Sequence, residues 1–182
     1  QTILQVLPSG PDMPTELFQD LLVKAIFLAR RRVILTSPYF VPDEPLTMAL
    51  RLAAYRGLQV DLVLPLRSDH PLVDAAGEFH WRRLSQHGVR VHFFQEGLLH
   101  AKTLTIDNRL GLFGSANYDI RSFHLNFEVN LLIYSTEAVQ ALKELQLRYL
   151  AASRPLDSAR EKEPRPVRKL TIHLAKLLSP LL

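Results

Sequence analysis

His100 and Lys102 stand two residues apart at the head of HAKTLTID, a stretch otherwise made of strand-forming Thr, Leu and Ile. Residues two apart on an extended chain point the same way, so imidazole and ammonium share one face, with Leu104 and Ile106 in phase behind them. A cation beside the ring favours the neutral imidazole, the form that serves as nucleophile or proton acceptor. After the next apolar run come Ser115 and Asn117, a hydroxyl and an amide, and Asn126 and Glu128 open the run after that. A carboxylate entering an apolar strand is costly without a partner, and the ring N–H of His100 is the partner expected for Glu128. If the three strands are neighbours, their ends surround a nucleophile or proton carrier with cation, hydroxyl and amide donors. That is a site for an anionic, phosphate-like group. Asp107 lies five residues beyond Lys102, at a turn shared with Asn108, where an acidic side chain caps its own backbone; its expected role is structural. Tyr39 and Phe40, in TSPYFVPDE, end another strand, and substrate lining and core packing account for them equally well.

The elements that must position these groups follow from periodicity. Short runs rich in Val, Ile, Leu and Phe alternate with longer stretches of helical period, which predicts an α/β protein, a sheet covered by helices. Strands are expected at Ile3–Leu7, Val33–Phe40, Gln59–Leu64, Val89–Phe94, Thr103–Asp107, Gly111–Ser115 and Phe127–Tyr134. Helices are expected at Thr15–Arg31, from the Asp43 cap to Gly57, at Pro71–His87 and at Thr136–Leu150. The first should lay Leu17, Leu21, Ala25 and Leu28 on the sheet. Trp81, on the third helix beside Arg82 and Arg83, is expected against the sheet rather than at a lipid interface.

The 182 residues are 47% hydrophobic and 22% charged, enough for one domain with a sizeable core. There is no cysteine, hence no disulfide framework or thiolate metal site. No apolar run reaches the roughly 18 residues that span a bilayer. The net charge of +4 is unevenly placed: residues 1–153 hold 15 Lys/Arg against 15 Asp/Glu, and residues 154–182 hold 7 against 3. A neutral body argues against nucleic acid as the partner, because phosphate neutralisation supplies most non-specific affinity. The division expected is a catalytic unit over 1–153 and a linker with a basic amphipathic helix over 154–182. In the latter, Val167, Leu170, Leu174, Leu177, Leu178 and Leu181 form a stripe beside Arg168, Lys169 and Lys176. Such a helix suits an anionic membrane surface, or docking onto another protein segment. The chain opens on Gln1, which reads as a piece of something longer.

The pattern H-x-K-x4-D, filled by His100, Lys102 and Asp107, is followed at fixed distance by Gly114-Ser115-x-Asn117 and then Glu128. This resembles the signature of the phospholipase D superfamily. TSPYFVPDE, EGLLHAKTLTID and ANYDIRSFHLNFEVN, with the closing SPLL, resemble the C-terminal half of the bacterial cardiolipin synthases. The resemblance implies a phosphatidyl transfer between two phosphatidylglycerol molecules, giving cardiolipin and glycerol through a phosphohistidine. Two such motifs, one per half, would meet at a shared cleft, without metal or other cofactor. One histidine attacks phosphorus and the other protonates the leaving alcohol; the first motif usually supplies the nucleophile, which gives His100 the acid role, with the nucleophile as its alternative. His100, Lys102, Ser115, Asn117 and Glu128 are then the catalytic set. The second motif has to come from an N-terminal half or a second chain, and the setting implied is the bacterial inner membrane. The alternative within the superfamily is a nuclease or phosphodiesterase acting as a homodimer.

Overall fold

Strand-forming runs between helical stretches leave the backbone one way to satisfy both, a sheet with helices laid across it, and the computed structural model has this form. It describes residues 3–13, 17–156, 168, 171–172 and 174–175. The elements in chain order are β1 (Leu4–Ser9), α1 (Leu17–Leu28), β2 (Arg32–Thr36), β3 (Phe40–Val41), α2 (Glu44–Tyr55), β4 (Gln59–Pro65), α3 (Pro71–Gln86), β5 (Arg90–Phe94), β6 (Thr103–Ile106), β7 (Leu110–Gly114), β8 (Tyr118–Asp119), α4 (Ile120–His124), β9 (Glu128–Ile133), α5 (Thr136–Ala151) and β10 (Ser153–Pro155). Eight strands form one mixed sheet in the order β1-β9-β7-β6-β2-β4-β5-β10, and β3 pairs with β8 alone. Strands β2, β4 and β5 run parallel, and the remaining neighbours in the sheet are antiparallel.

Alternation along the strands divides the core. Val33, Leu35, Val60, Leu62, Leu104, Leu112 and Leu132 face a layer that includes Phe18, Leu22 and Ile26 of α1, Leu46, Leu50 and Ala53 of α2 and Leu84 of α3. Ile34, Val63, Phe94 and Leu99 pack on the other side against Tyr149, Leu150 and Ala152 at the end of α5. Helix α2 starts where Asp43 accepts the Leu46 N–H at 3.0 Å, with Pro45 behind it, and stops before Gly57 at φ 81°.

Three sequence expectations need adjusting. The apolar face of α1 is Phe18, Leu22, Ala25 and Ile26, whereas Leu17 and Leu28 are 47% and 68% exposed; the bulkier stripe, one residue out of phase, wins the core. The strand expected over Val33–Phe40 breaks after Thr36, because the Ser37 hydroxyl donates to the Tyr39 carbonyl at 2.5 Å and turns the chain out of the sheet. Phe40–Val41 then pairs in parallel with Tyr118–Asp119. The sheet also continues past residue 153, because Ser153–Pro155 pairs with β5 as an edge strand, a place where a proline without N–H is tolerated. Trp81 is half-buried and edge-on to Phe93 of β5, 5.2 Å between centroids, with the Arg82 guanidinium 4.9 Å over its ring.

Most of the basic stretch expected as an amphipathic helix lies outside the described residues. Those of it that are described take helical conformation beside α3: Arg168 pairs with Glu78 at 2.8 Å, and Ala175 packs with Val41, Ala75 and Ala76. Ile172 is buried, while Leu174, a member of the leucine stripe, is 52% exposed.

Candidate active site

Topology gathers the chemistry at one end of the interior strands of the sheet. Strand β6 runs against β2, so its start, Thr103, lies opposite Thr36 at the end of β2. The end of β7 returns beside it, with the Gly114 N–H donating to the Lys102 carbonyl at 3.3 Å, and β9 starts next to that. His100, Lys102, Ser115, Asn117 and Glu128 therefore arrive together at the neighbouring ends of β6, β7 and β9. Gly114 is needed between them: a Cβ there would lie 2.2 Å from Asn130 Oδ1 and 2.5 Å from the Val129 carbonyl.

The Lys102 ammonium lies 2.9 Å from His100 Nδ1, 3.4 Å from Nε2 and 3.1 Å from the His100 carbonyl oxygen. An ammonium only donates, so Nδ1 is the acceptor and the proton of a neutral ring sits on Nε2. Burial lowers the Lys102 pKa, with Glu128 and Asp119 pulling the other way. The expected contact between Glu128 and the His100 ring is absent here. The Ser115 hydroxyl donates to the Glu128 carboxylate, and Asn126 Nδ2 donates to its other oxygen at 3.3 Å. Ser115 follows Gly114, which pairs with Asn130, and its N–H donates to the Val129 carbonyl at 3.0 Å, next to Glu128, whereas His100 precedes its strand by three residues, so the hydroxyl is the nearer partner. The same hydroxyl accepts the Val129 N–H at 2.9 Å, which fixes it to β9.

Asp119 belongs to this group, although nothing singled it out in the sequence. It is 7% exposed, at the end of β8, where it accepts the Ser122 N–H at 2.7 Å and starts α4. Burial first, then the Glu128 charge, raise its pKa, against hydrogen bonds from Ser122 and Asn117. The available signal was an Asp immediately before a short helical stretch, with Ser three residues on. Asn130 was missed as well: it is 1% exposed with both side-chain polar atoms unpartnered among the described residues. Of the two aromatic candidates, Tyr39 reaches the site, its ring 6.3 Å from that of His100. Phe40 is 3% exposed and packs in the main core, though it also lines a cleft of about 300 Å³ together with Tyr39, Trp81 and Phe93.

Asp107 lies at the opposite end of β6. It and Asn108 hold φ of 52° and 58°, the left-handed pair of a tight hairpin closed by Arg109 N–H to the Ile106 carbonyl at 2.9 Å. Its carboxylate accepts three consecutive backbone N–H groups, from Arg30 at 2.6 Å and from Arg31 and Arg32 at 2.8 Å each. Burial raises its pKa, but those three donors outweigh it and hold the group below the ordinary carboxylate range. Asp107→Asn, which keeps one acceptor oxygen, is expected to cost about 1 kcal/mol of stability after allowance for solvent screening, while the folded variant keeps the parent turnover. Chemical denaturation alongside an activity assay checks this; lost turnover at unchanged stability would place Asp107 in the chemistry instead.

Fold and site together define the class, a phospholipase D-like domain. The same fold occurs in Nuc from Salmonella typhimurium, a phospholipase D family member, at TM-score 0.73 and 19% identity over 86% of this chain and 99% of that one. It occurs also in the phosphatidylserine synthase of Haemophilus influenzae, at TM-score 0.75 and 20% identity over 98% of this chain and 48% of that one. The family model described as cardiolipin synthase, PLD-like domain, matches residues 22–148, and the chain belongs to that family. Cardiolipin synthase A of Pseudomonas fluorescens is 40% identical over 99% of the chain, which spans 38% of that relative's length.

Proposed function

We propose that this chain is one catalytic half of a phosphatidyltransferase that makes cardiolipin from two phosphatidylglycerol molecules. The 40% identity to a cardiolipin synthase over nearly the whole chain carries the reading, because that span includes every group of the site. In the first half-reaction, a histidine nitrogen of a second H-x-K segment attacks phosphorus and the bond to the glycerol oxygen breaks. His100, entering the step as the imidazolium, gives its Nε2 proton to that leaving oxygen and is left as the neutral ring. In the second, the hydroxyl of another phosphatidylglycerol gives its proton back to His100 as its oxygen displaces the phosphohistidine nitrogen, so the protons balance over one cycle. Lys102, Asn117 and the partner's equivalents bind the non-bridging oxygens, and Ser115 holds Glu128 in place. No metal enters the scheme. Tyr39 and Phe40 line the space offered to the lipid, and the basic C-terminal stretch lies on an anionic membrane surface. The second motif comes from a segment outside this chain or from a second copy. That one fold unit nearly fills Nuc but only about half of the phosphatidylserine synthase is compatible with either arrangement.

The test incubates this chain alone, and the longer protein with a second H-x-K segment, with phosphatidylglycerol vesicles. The longer protein should release one glycerol per cardiolipin and sediment with these vesicles more than with phosphatidylcholine ones. The monomeric chain should do no chemistry. Efficient transfer by a proven monomer overturns the half-site reading. Cleavage of DNA without lipid transfer would favour the homodimeric nuclease.

A further inference from the structure

An imidazole that must first give and then take a proton needs its ring held at a fixed tilt. His100 is exposed, and its hydrogen-bond and ring contacts among the described residues are with Lys102 and Tyr39. The ammonium lies within reach of both ring nitrogens and does not define the tilt by itself. Tyr39 meets the imidazole edge to face, 6.3 Å between centroids and 88° between planes. Such a pair is orienting only when the second ring is itself anchored.

Tyr39 is anchored several times over. Its hydroxyl donates to Asp69 Oδ1 at 2.5 Å, from the loop between β4 and α3. The His70 ring packs on it at 5.5 Å and 62°, and Ser37 holds its carbonyl at 2.5 Å. Burial and then Asp69 push the phenol up to about 12, so the proton stays on Tyr39, and that hydrogen bond keeps the Asp69 carboxyl below its ordinary range. Tyr39 also lines the cleft that Trp81 and Phe93 line, whereas His100 does not.

We propose that Tyr39, anchored through its hydroxyl on Asp69, is the positioning residue that sets the tilt of the His100 imidazole and, through that tilt, the rate of the transfer step. The second clause rests on the phosphatidyl-transfer reading; the first does not. Neither residue touches the reacting atoms.

Two readouts separate the clauses. In this chain without lipid, the His100 ring-proton NMR signals carry the ring-current shift of a fixed aromatic neighbour. Tyr39→Phe and Asp69→Ala should reduce that shift equally, Tyr39→Leu should abolish it, and Asp69→Asn, which keeps an acceptor, should restore most of it. In the longer protein on phosphatidylglycerol vesicles, Tyr39→Phe and Asp69→Ala should each lower kcat about 10-fold with KM and Tm little changed, since small misplacement of a catalytic group acts on the chemical step. The double variant should be no worse than either, because both break one contact. Unchanged His100 signals in Tyr39→Phe and Asp69→Ala overturn the proposal whatever the lipid assay gives. Altered signals with undiminished kcat overturn its catalytic part. Altered signals in a protein whose parent transfers no lipid leave the positioning standing and refute the function instead.

Discussion

Replacing His100 with alanine in the longer protein is expected to lower phosphatidyl transfer about 10³- to 10⁴-fold while leaving the melting temperature within about 1 °C of the parent. The two halves of that expectation have separate origins. The imidazole is exposed and outside the three apolar clusters, so its removal opens no cavity, and the groups it touches keep other partners, Lys102 the His100 carbonyl and Tyr39 Asp69. Stability therefore has little to lose. On the proposed reading both half-reactions pass through Nε2, once as donor to the leaving alcohol and once as acceptor from the incoming hydroxyl, and no neighbouring group can stand in for it. Lys102 is the nearest, but on this reading its ammonium is committed to the non-bridging oxygens of the phosphate. Turnover within 10-fold of the parent would refute a proton-transfer or nucleophilic role for His100. A melting temperature lowered enough to explain the loss would make the residue structural.

Grouping His100 with its neighbours was possible from sequence because the motif is local. His100 and Lys102 share a strand phase, and Ser115, Asn117 and Glu128 follow within 28 residues, on strands that pair as consecutive neighbours. Most strand and helix spans were legible too, since apolar runs such as VDLVLP and helix limits such as Asp43 and Gly57 carry their own signals. What stayed hidden depends on contacts across the sequence. Tyr39 and Asp69 are 30 residues apart and meet because β2 and β4 run parallel and release their chains at the same end of the sheet. The Phe40–Val41 ladder with Tyr118–Asp119 is too short for any period to show. The partner of Glu128 was misassigned for a similar reason: charge chemistry names an acceptable partner, and only strand register decides between His100 and Ser115. The reverse holds for Asp107. Its turn was visible, but the three N–H groups it gathers lie more than 70 residues away.

The largest stability effect is expected far from the site, at Asp61→Ala. Asp61 is 1% exposed on β4, and its neighbours Val60 and Leu62 face the main core, so its carboxylate lies on the α5 side of the sheet. Parallel pairing sets Arg90 of β5 directly opposite and brings Arg32 from the start of β2. Arg32 donates at 3.1 and 2.8 Å, Arg90 at 2.9 and 2.8 Å, and His92 and Gln59 at 3.0 Å each. Burial alone would raise the carboxyl pKa, but the bonds from His92, Gln59 and Arg32 and the charge of Arg90 hold it well below the ordinary range. Removing the acceptor leaves two guanidinium groups and an imidazole facing one another with nothing between them. They can turn partly to water, Arg90 being 51% exposed at its side chain, so the cost should fall below that of a fully enclosed pair, at about 2–4 kcal/mol. For a domain of this size that is a fall in Tm of roughly 5–12 °C. The sign with pH follows from the depressed pKa. The contribution is complete above the unfolded carboxyl pKa near 4 and shrinks as pH falls below it, towards the folded value. Urea titrations of parent and variant at pH 7, 4 and 2.5 should show the stability gap narrowing in that order. A gap that is constant down to pH 2.5 would mean that the loss is one of packing rather than of charge.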